Sequence, residues 1–137
     1  ADRFLVRQGD IHQISSFADL EGKTVGIYNG YTYHPEIMEM FRNGTTKTEQ
    51  IENIEVGVRL VNLGRIDTMI DFGTLLAYRI KNSDLKGKVT LAGKHAGDYE
   101  LKCAYSPKLP VDKDLLNKHI NQMKADGFIE KVLNRYR

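Results

Sequence analysis

Cys103 is the only cysteine in the chain, so no intramolecular disulfide can staple it and no cysteine zinc site can form. An excess of one charge is missing too. Twenty Lys+Arg stand against 18 Asp+Glu for a formal net charge of +2, and the basic residues are scattered, which leaves no electrostatic footprint for nucleic acid or an anionic membrane. No run approaches the roughly 18 continuous apolar residues of a membrane span. An initiator Met, a basic-then-apolar leader and a small-residue cleavage site are also lacking, so Ala1 reads as the start of a mature protein or of a cut piece. What is there is a chain of 137 residues, 41% hydrophobic and 28% charged. That composition predicts one soluble globular domain over residues 1–137, large enough to build its own core.

Signatures of chemistry are equally sparse. The three-glycine G-x-G-x-x-G pattern of dinucleotide binding does not occur. His12, His34, His95 and His119 show no paired spacing for a metal, and His119 is expected on the apolar side of its helix. A nucleophile elbow is missing, and Cys103 has no local signature and falls in an expected buried strand. No catalytic residue, metal or cofactor is therefore assigned.

The pattern of apolar residues predicts alternating elements. A weak strand around Phe4 and Val6 gives way to a loop from Gly9 to Ser16, and Ser16 with Asp19 caps a single turn through Phe17 and Leu20 that Gly22 stops. Lys23 to Tyr28 is a strand. It ends at Asn29-Gly30 and leads through Tyr31-Thr32 into a helix with Pro35 in its first turn, Ile37, Met40 and Phe41 on one face, and Asn43-Gly44 at its close. Thr45 to Ile51 is a partly exposed strand. Asn53 caps a helix through Ile54, Val58, Leu60 and Val61, ending at Gly64. Ile66 to Ile70 is a short buried strand ended by Asp71, and Phe72 to Lys81 a helix on Leu75, Leu76 and Ile80. Lys88 to Ala92 and Glu100 to Tyr105 are two more strands. Beyond Pro107 and Pro110 come a helix from Asp112 to Lys124 and, after Gly127, a last amphipathic helix carrying Phe128, Ile129, Val132, Leu133 and Tyr136.

Strands alternating with helices need crossover connections, which predicts an α/β fold with a mostly parallel sheet and helices on both faces. Ligands in such sheets bind outside the carboxyl ends of the strands, here the turns from Asn29 to Tyr33 and from Asp71 to Thr74. Gly30-Tyr31-Thr32 opens a helix in this reading, so its backbone N–H groups and the Thr32 hydroxyl suit an anion such as a carboxylate. Equally, Thr32 can do no more than cap that helix. Asp71 can take an ammonium group or simply end its strand. Tyr28, Tyr31 and Tyr33 cluster at the first turn, with Tyr33 the expected contact, and Phe72 adds an aromatic wall at the second.

Four segments stand in a familiar order: Asp19-Leu-Glu-Gly-Lys-Thr-Val-Gly-Ile27, Asn29-Gly-Tyr-Thr32, Leu63-Gly-Arg-Ile-Asp-Thr-Met-Ile-Asp71 and Lys124-Ala-Asp-Gly127. Together they resemble the bacterial extracellular solute-binding proteins of family 3, the polar amino acid receptors of ABC transporters, from about Phe4 to the C-terminus. The resemblance implies a three-layer αβα lobe of the type II periplasmic-binding-protein fold, in which two lobes close on a solute. Residues to about 107 would be the second lobe, with Phe4 to Gln8 and Ala104 to Pro107 as its crossing strands. Residues from about 108 to 137 would be helices that pack on the absent first lobe. It also implies that Gly30, Tyr31 and Thr32 receive the carboxylate of an amino acid or small carboxylate and Asp71 its α-ammonium, with Tyr33 and Phe72 nearby.

Binding without catalysis, a membrane permease as partner in the full-length protein and a periplasmic location follow from the same likeness. The first lobe's own ligand contacts have no counterpart here. Tyr31 stands where the family often has Thr or Ser, and Phe72-Gly73 follows Asp71 where acidic residues or proline are more usual. A sensing module of a signalling protein, or an enzyme on this fold such as a dehydratase or a cell-wall lyase, are the other readings. The apolar face from Leu115 to Tyr136 would then be covered within the chain or by a second copy, as a homodimer through the C-terminal helices.

Overall fold

The computed structural model describes residues 1–98 and 102–136. The strands are β1 (Asp2–Arg7), β2 (Thr24–Ile27), β3 (Lys47–Gln50), β4 (Thr68–Phe72) and β5 (Val89–Gly97), and the helices α1 (Pro35–Arg42), α2 (Ile54–Asn62), α3 (Gly73–Lys81), α4 (Lys113–Ala125) and α5 (Phe128–Leu133). They fall into two units, Ala1–Tyr99 and Glu100–Arg137.

The first unit holds one five-stranded sheet in the order β3-β2-β4-β1-β5. β2 runs parallel to β3 and β4, whereas β1 is antiparallel to both β4 and β5. Four strands therefore point one way, as the crossover argument requires, and β1 alone opposes them. The segment that reads as the weakest strand is thus internal to the sheet. Phe4, Leu5 and Val6 are consecutive and each is at most 1% exposed, and a strand covered on both faces loses the alternation by which strands are recognised.

Two apolar layers sandwich this sheet. On one face Phe4, Val6, Val25 and Ile70 pack with Ile14, Leu20 and Ile37 of α1. On the other, Leu5, Ile66, Met69 and Val89 meet Ile54, Val58 and Val61 of α2 and Leu76 of α3. The architecture is a three-layer α/β lobe. α2 shows why the sequence folds this way. Asn53 Oδ1 accepts the Val56 N–H at 3.0 Å, and Ile54, Gly57, Val58 and Val61 form one buried stripe at helical spacing.

Several boundaries differ from expectation. β4 reaches Phe72, so Asp71 and Phe72 are strand residues and Phe72 caps α3. β5 continues to Gly97, past the expected end at Ala92, through irregularities in its register with β1. Among the described residues the strand expected over Glu100 to Tyr105 is not found. Glu100 and Leu101 lie outside the described residues, and 102–105 are irregular with Cys103 exposed. Nor is the crossing strand expected from Ala104 to Pro107 found among the described residues.

In the second unit, Leu116, Ile120 and Met123 of α4 are half-buried at i, i+4 and i+7, with Ile129, Val132 and Leu133 half-buried from Phe128 onward. His119 lies beside that stripe and is exposed, in contrast to the apolar placement expected for it. No helix among the described residues is long and apolar enough to cross a membrane.

Candidate functional site

The chain leaves β2 for β3 on one side and returns through α2 to β4 on the other. Adjacent connections diverging in this way open a crevice at the carboxyl ends of β2 and β4. Tyr28 follows β2, and Asp71 is the penultimate residue of β4. The Tyr28 phenol donates to Asp71 Oδ2 at 2.7 Å, and the Phe72 backbone N–H donates to Asp71 Oδ1 at 2.6 Å. Both carboxylate oxygens are thereby oriented, while each keeps a lone pair for a further donor.

Tyr28 is itself held. Its backbone N–H donates to the Tyr33 hydroxyl at 2.9 Å. Burial pushes the Tyr28 phenol well above the ordinary tyrosine range, with the hydrogen bond to Asp71 and that residue's charge adding to it. Burial likewise pushes Tyr33 up to about 12, only partly offset by the hydrogen bond from Tyr28.

Among the residues singled out in the sequence, Tyr33 is placed differently. It is 4% exposed, sits in the core with Ile37 and meets Phe41 edge-on at 6.0 Å. Its part in the site is to fix Tyr28, and the expectation that it is the foremost ligand contact is corrected. Tyr31 is 63% exposed, and its ring lies 5.0 Å from that of Tyr28. Gly30 takes φ +78°, the left-handed conformation that turns the chain there.

Thr32 does not open a helix. α1 begins at Pro35 with His34 as its cap, His34 Nδ1 accepting from the Glu36 N–H at 3.3 Å. The proline explains the delay, since the residue before a proline is driven to an extended conformation, and His34 has ψ 139°. The bland reading, that Thr32 only caps α1, falls with the placement, and so does the argument from a helix terminus. Thr32 stays exposed in the turn. Phe72 is half-buried.

Two neighbours were missed by sequence reasoning. Arg3 is the cross-strand partner of Asp71, and Asp2 that of Phe72. Burial raises the Asp2 carboxyl, with the charges of Asp71 and Asp98 adding to the effect. The Arg3 guanidinium donates to the Ala92 carbonyl where β5 departs from regular register. Only the strand order brings these residues to Asp71, and no local pattern announces it. Among the described residues no group of three or more His, Cys, Asp or Glu is arranged to hold a metal ion.

Comparison with known proteins bears on the family and the fold. The family described as NMT1/THI5-like matches residues 4–134. A probable histidine-binding protein of Neisseria gonorrhoeae is 23% identical over 127 residues, covering 90% of this chain and 47% of that protein. An amino acid ABC transporter substrate-binding protein of Streptococcus pneumoniae, solved with L-arginine, superposes with TM-score 0.72 at 19% identity, over 98% of this chain and 55% of that one. The GluR0 ligand-binding core of Nostoc punctiforme, solved with L-glutamate, gives TM-score 0.65 at 20% identity, over 98% of this chain and 59% of that one. The chain spans about half the length of the curated relative it matches. The likeness to the solved structures carries the fold, a lobe of the type II periplasmic-binding-protein architecture.

Proposed function

Since the chain belongs to the NMT1/THI5-like family, we propose that it is the second lobe of a solute receptor for ABC-type uptake and holds a polar amino acid or small carboxylate. The observation that carries this reading is the Asp71 carboxylate, fixed through both oxygens at the crevice between β2 and β4. An oriented carboxylate at that place is an acceptor for an α-ammonium group. The exposed turn at Gly30, Tyr31 and Thr32 supplies N–H groups and a hydroxyl for the solute carboxylate, and Tyr31 and Phe72 are its aromatic borders.

The finer likeness to the extracellular solute-binding proteins of family 3 rests on the four ordered segments quoted above. A relative named for histidine binding and a solved neighbour named for amino acid ABC transport support the same class of solute. In this reading the protein binds without chemistry, its partner is a membrane permease, and it works outside the cytoplasmic membrane, in the periplasm or extracellular space. The first lobe would come from the rest of a longer protein, because closure of two lobes is what excludes water from such sites.

Thermal-shift titration with amino acids and small carboxylates tests this. The unfolding midpoint should rise with the logarithm of the solute concentration, and Asp71→Ala and Thr32→Ala should each abolish the rise. A solute that shifts the wild type and both variants equally would remove Asp71 and Thr32 from the site.

A further inference from the structure

β5 is an edge strand two places from β4 in the sheet, and its register is broken. Arg3 pairs with His95 and Leu5 with Leu91, so two steps of β1 run beside four of β5. The surplus bulges out of the strand between those partners. The Arg3 guanidinium donates to the Ala92 carbonyl, which satisfies an acceptor that the broken ladder frees. Between this stretch and the loop that follows β1 lies a cavity of about 710 Å³.

Its lining is apolar on one part and cationic on another. Ile14 is 2% exposed, and Ile11 and Leu91 are half-buried. Lys94, carried on the bulge, is also half-buried, and its ammonium lies 4.6 Å from the centre of the Phe17 ring. That contact holds the cation and leaves its N–H donors unspent. Among the described residues neither Lys94 nor the His12 imidazole enters an ion pair or a side-chain hydrogen bond. The carboxylate in the lining, Asp98, is engaged by His95, whose Nδ1 lies 3.3 Å from it.

We propose that this cavity is a binding site, separate from the crevice at Asp71, for an organic anion with an apolar body. The anionic group meets Lys94, with His12 as a second donor, and the body covers Ile11, Ile14 and Leu91. A lysine partly withdrawn from water with no counterion gains from an anion more than from a neutral group. The apolar lining adds affinity only for a ligand that removes it from water, which selects against a bare inorganic ion. The volume is within the range of small-molecule sites, about 300–1,000 Å³. The inference goes beyond the reading of Asp71 and does not depend on it.

NMR titration of the full chain with hexanoate tests the site, against hexan-1-ol, which lacks the charge, and acetate, which lacks the apolar body. Lys94→Gln, Lys94→Arg and Asp71→Ala accompany the wild type. Hexanoate should move the amide signals of 11–15 and 91–95 and bind about tenfold tighter than either comparison compound. Lys94→Gln should erase its advantage over the alcohol, whereas Lys94→Arg should keep it, and unmoved signals at Val58 and Val61 report that both variants are folded. Asp71→Ala should leave hexanoate binding as it is. If hexanoate binds no tighter than hexan-1-ol, or its advantage survives Lys94→Gln, the cavity is not an anion site. Loss of hexanoate binding in Asp71→Ala, or movement confined to signals outside 11–15 and 91–95, places the anion elsewhere and overturns the proposal, with the reading of Asp71 left to its own titration.

Discussion

Tyr28 and Asp71, separated by 43 positions in the chain, are joined by one 2.7 Å hydrogen bond from phenol to carboxylate. Because β2 and β4 are parallel neighbours, the residues at their carboxyl ends meet where the crossover connections diverge. The same tyrosine is pinned at its backbone by the Tyr33 hydroxyl. Tyr33 thus works from within the core, Tyr28 at the boundary and Asp71 at the crevice, a chain of two hydrogen bonds through three residues that holds the carboxylate in a set direction.

Removing the donor should be measurable as stability. Tyr28→Phe keeps the ring and takes away the hydroxyl, leaving Asp71 with the Phe72 N–H alone. For a half-exposed bond to a charged acceptor a loss of about 1 kcal/mol is expected. Urea unfolding should show a lower midpoint at unchanged slope. In a double-mutant cycle with Asp71→Asn the coupling should be at least about 0.5 kcal/mol. Strict additivity would mean that the bond contributes nothing in solution.

Alkaline pH should weaken the same region. Both phenols hold their protons more tightly when folded, Tyr33 to about 12 and Tyr28 further still, chiefly through burial. An unfolded tyrosine ionises near about 10. The stability they contribute is therefore complete below that value and is lost as pH rises from there through the folded values. Unfolding midpoints taken at steps above about pH 9.5 should fall in the wild type and fall less steeply in Tyr33→Phe. A wild-type profile that stays level across that window would contradict the buried placement of the two hydroxyls.

Local patterns made much of this legible. Asn53 before Ile54, Val58 and Val61 announces α2 because cap and stripe are written in consecutive residues, and Pro35 with Gly44 brackets α1 in the same way. Asp71 could be nominated because a strand's carboxyl end is a local feature. The partners of Asp71 could not. Arg3 opposes it through an antiparallel register set by strand order, and Tyr28 reaches it across a parallel pair. Tyr33 misled for a different reason. A tyrosine in a polar turn reads as a ligand contact, and only packing against Ile37 and Phe41 reveals that its ring faces the core. The length of β5 was hidden by Gly93 and by its departure from regular register near Ala92, which interrupt the alternation a strand is read from.

At acid pH the sensitive feature is Asp19. Its carboxylate accepts from the backbone N–H groups of Ser15 and Ser16 at 2.9 and 2.8 Å and from both serine hydroxyls. These bonds, the backbone ones first, lower it to about 2. A carboxyl depressed in the folded state stabilises it above the unfolded value of about 3.9, and that contribution disappears as pH falls through the folded value. A carboxyl-detected NMR titration should find Asp19 titrating near 2. Ser16→Ala should move it upward, and an Asp19 midpoint in the ordinary range would dissolve the capping arrangement.

Two glycines should answer differently to the same added methyl. In Gly26→Ala the new Cβ would lie 2.7 Å from Ile66 Cδ1 and 3.3 Å from Met69 Cβ, and Met69 is the partner of Gly26 in the β2–β4 ladder. Met69 Cβ is fixed to the strand backbone, so it cannot swing away without disturbing the pairing that brings Tyr28 to Asp71. In Gly57→Ala the Cβ would come 2.8 Å from Ile51 Cδ1 and Met69 Sδ, the far ends of flexible side chains. There the α2 backbone gains about 1 kcal/mol of helix preference, which offsets part of the crowding. A loss of about 2–3 kcal/mol is expected for Gly26→Ala and under about 1 kcal/mol for Gly57→Ala. Gly26→Ala should also broaden or shift the Tyr28 and Asp71 amide signals, which Gly57→Ala should leave in place. Equal losses, or an undisturbed Tyr28 in Gly26→Ala, would mean that β2 and β4 tolerate separation and that the Tyr28–Asp71 contact does not depend on their close approach.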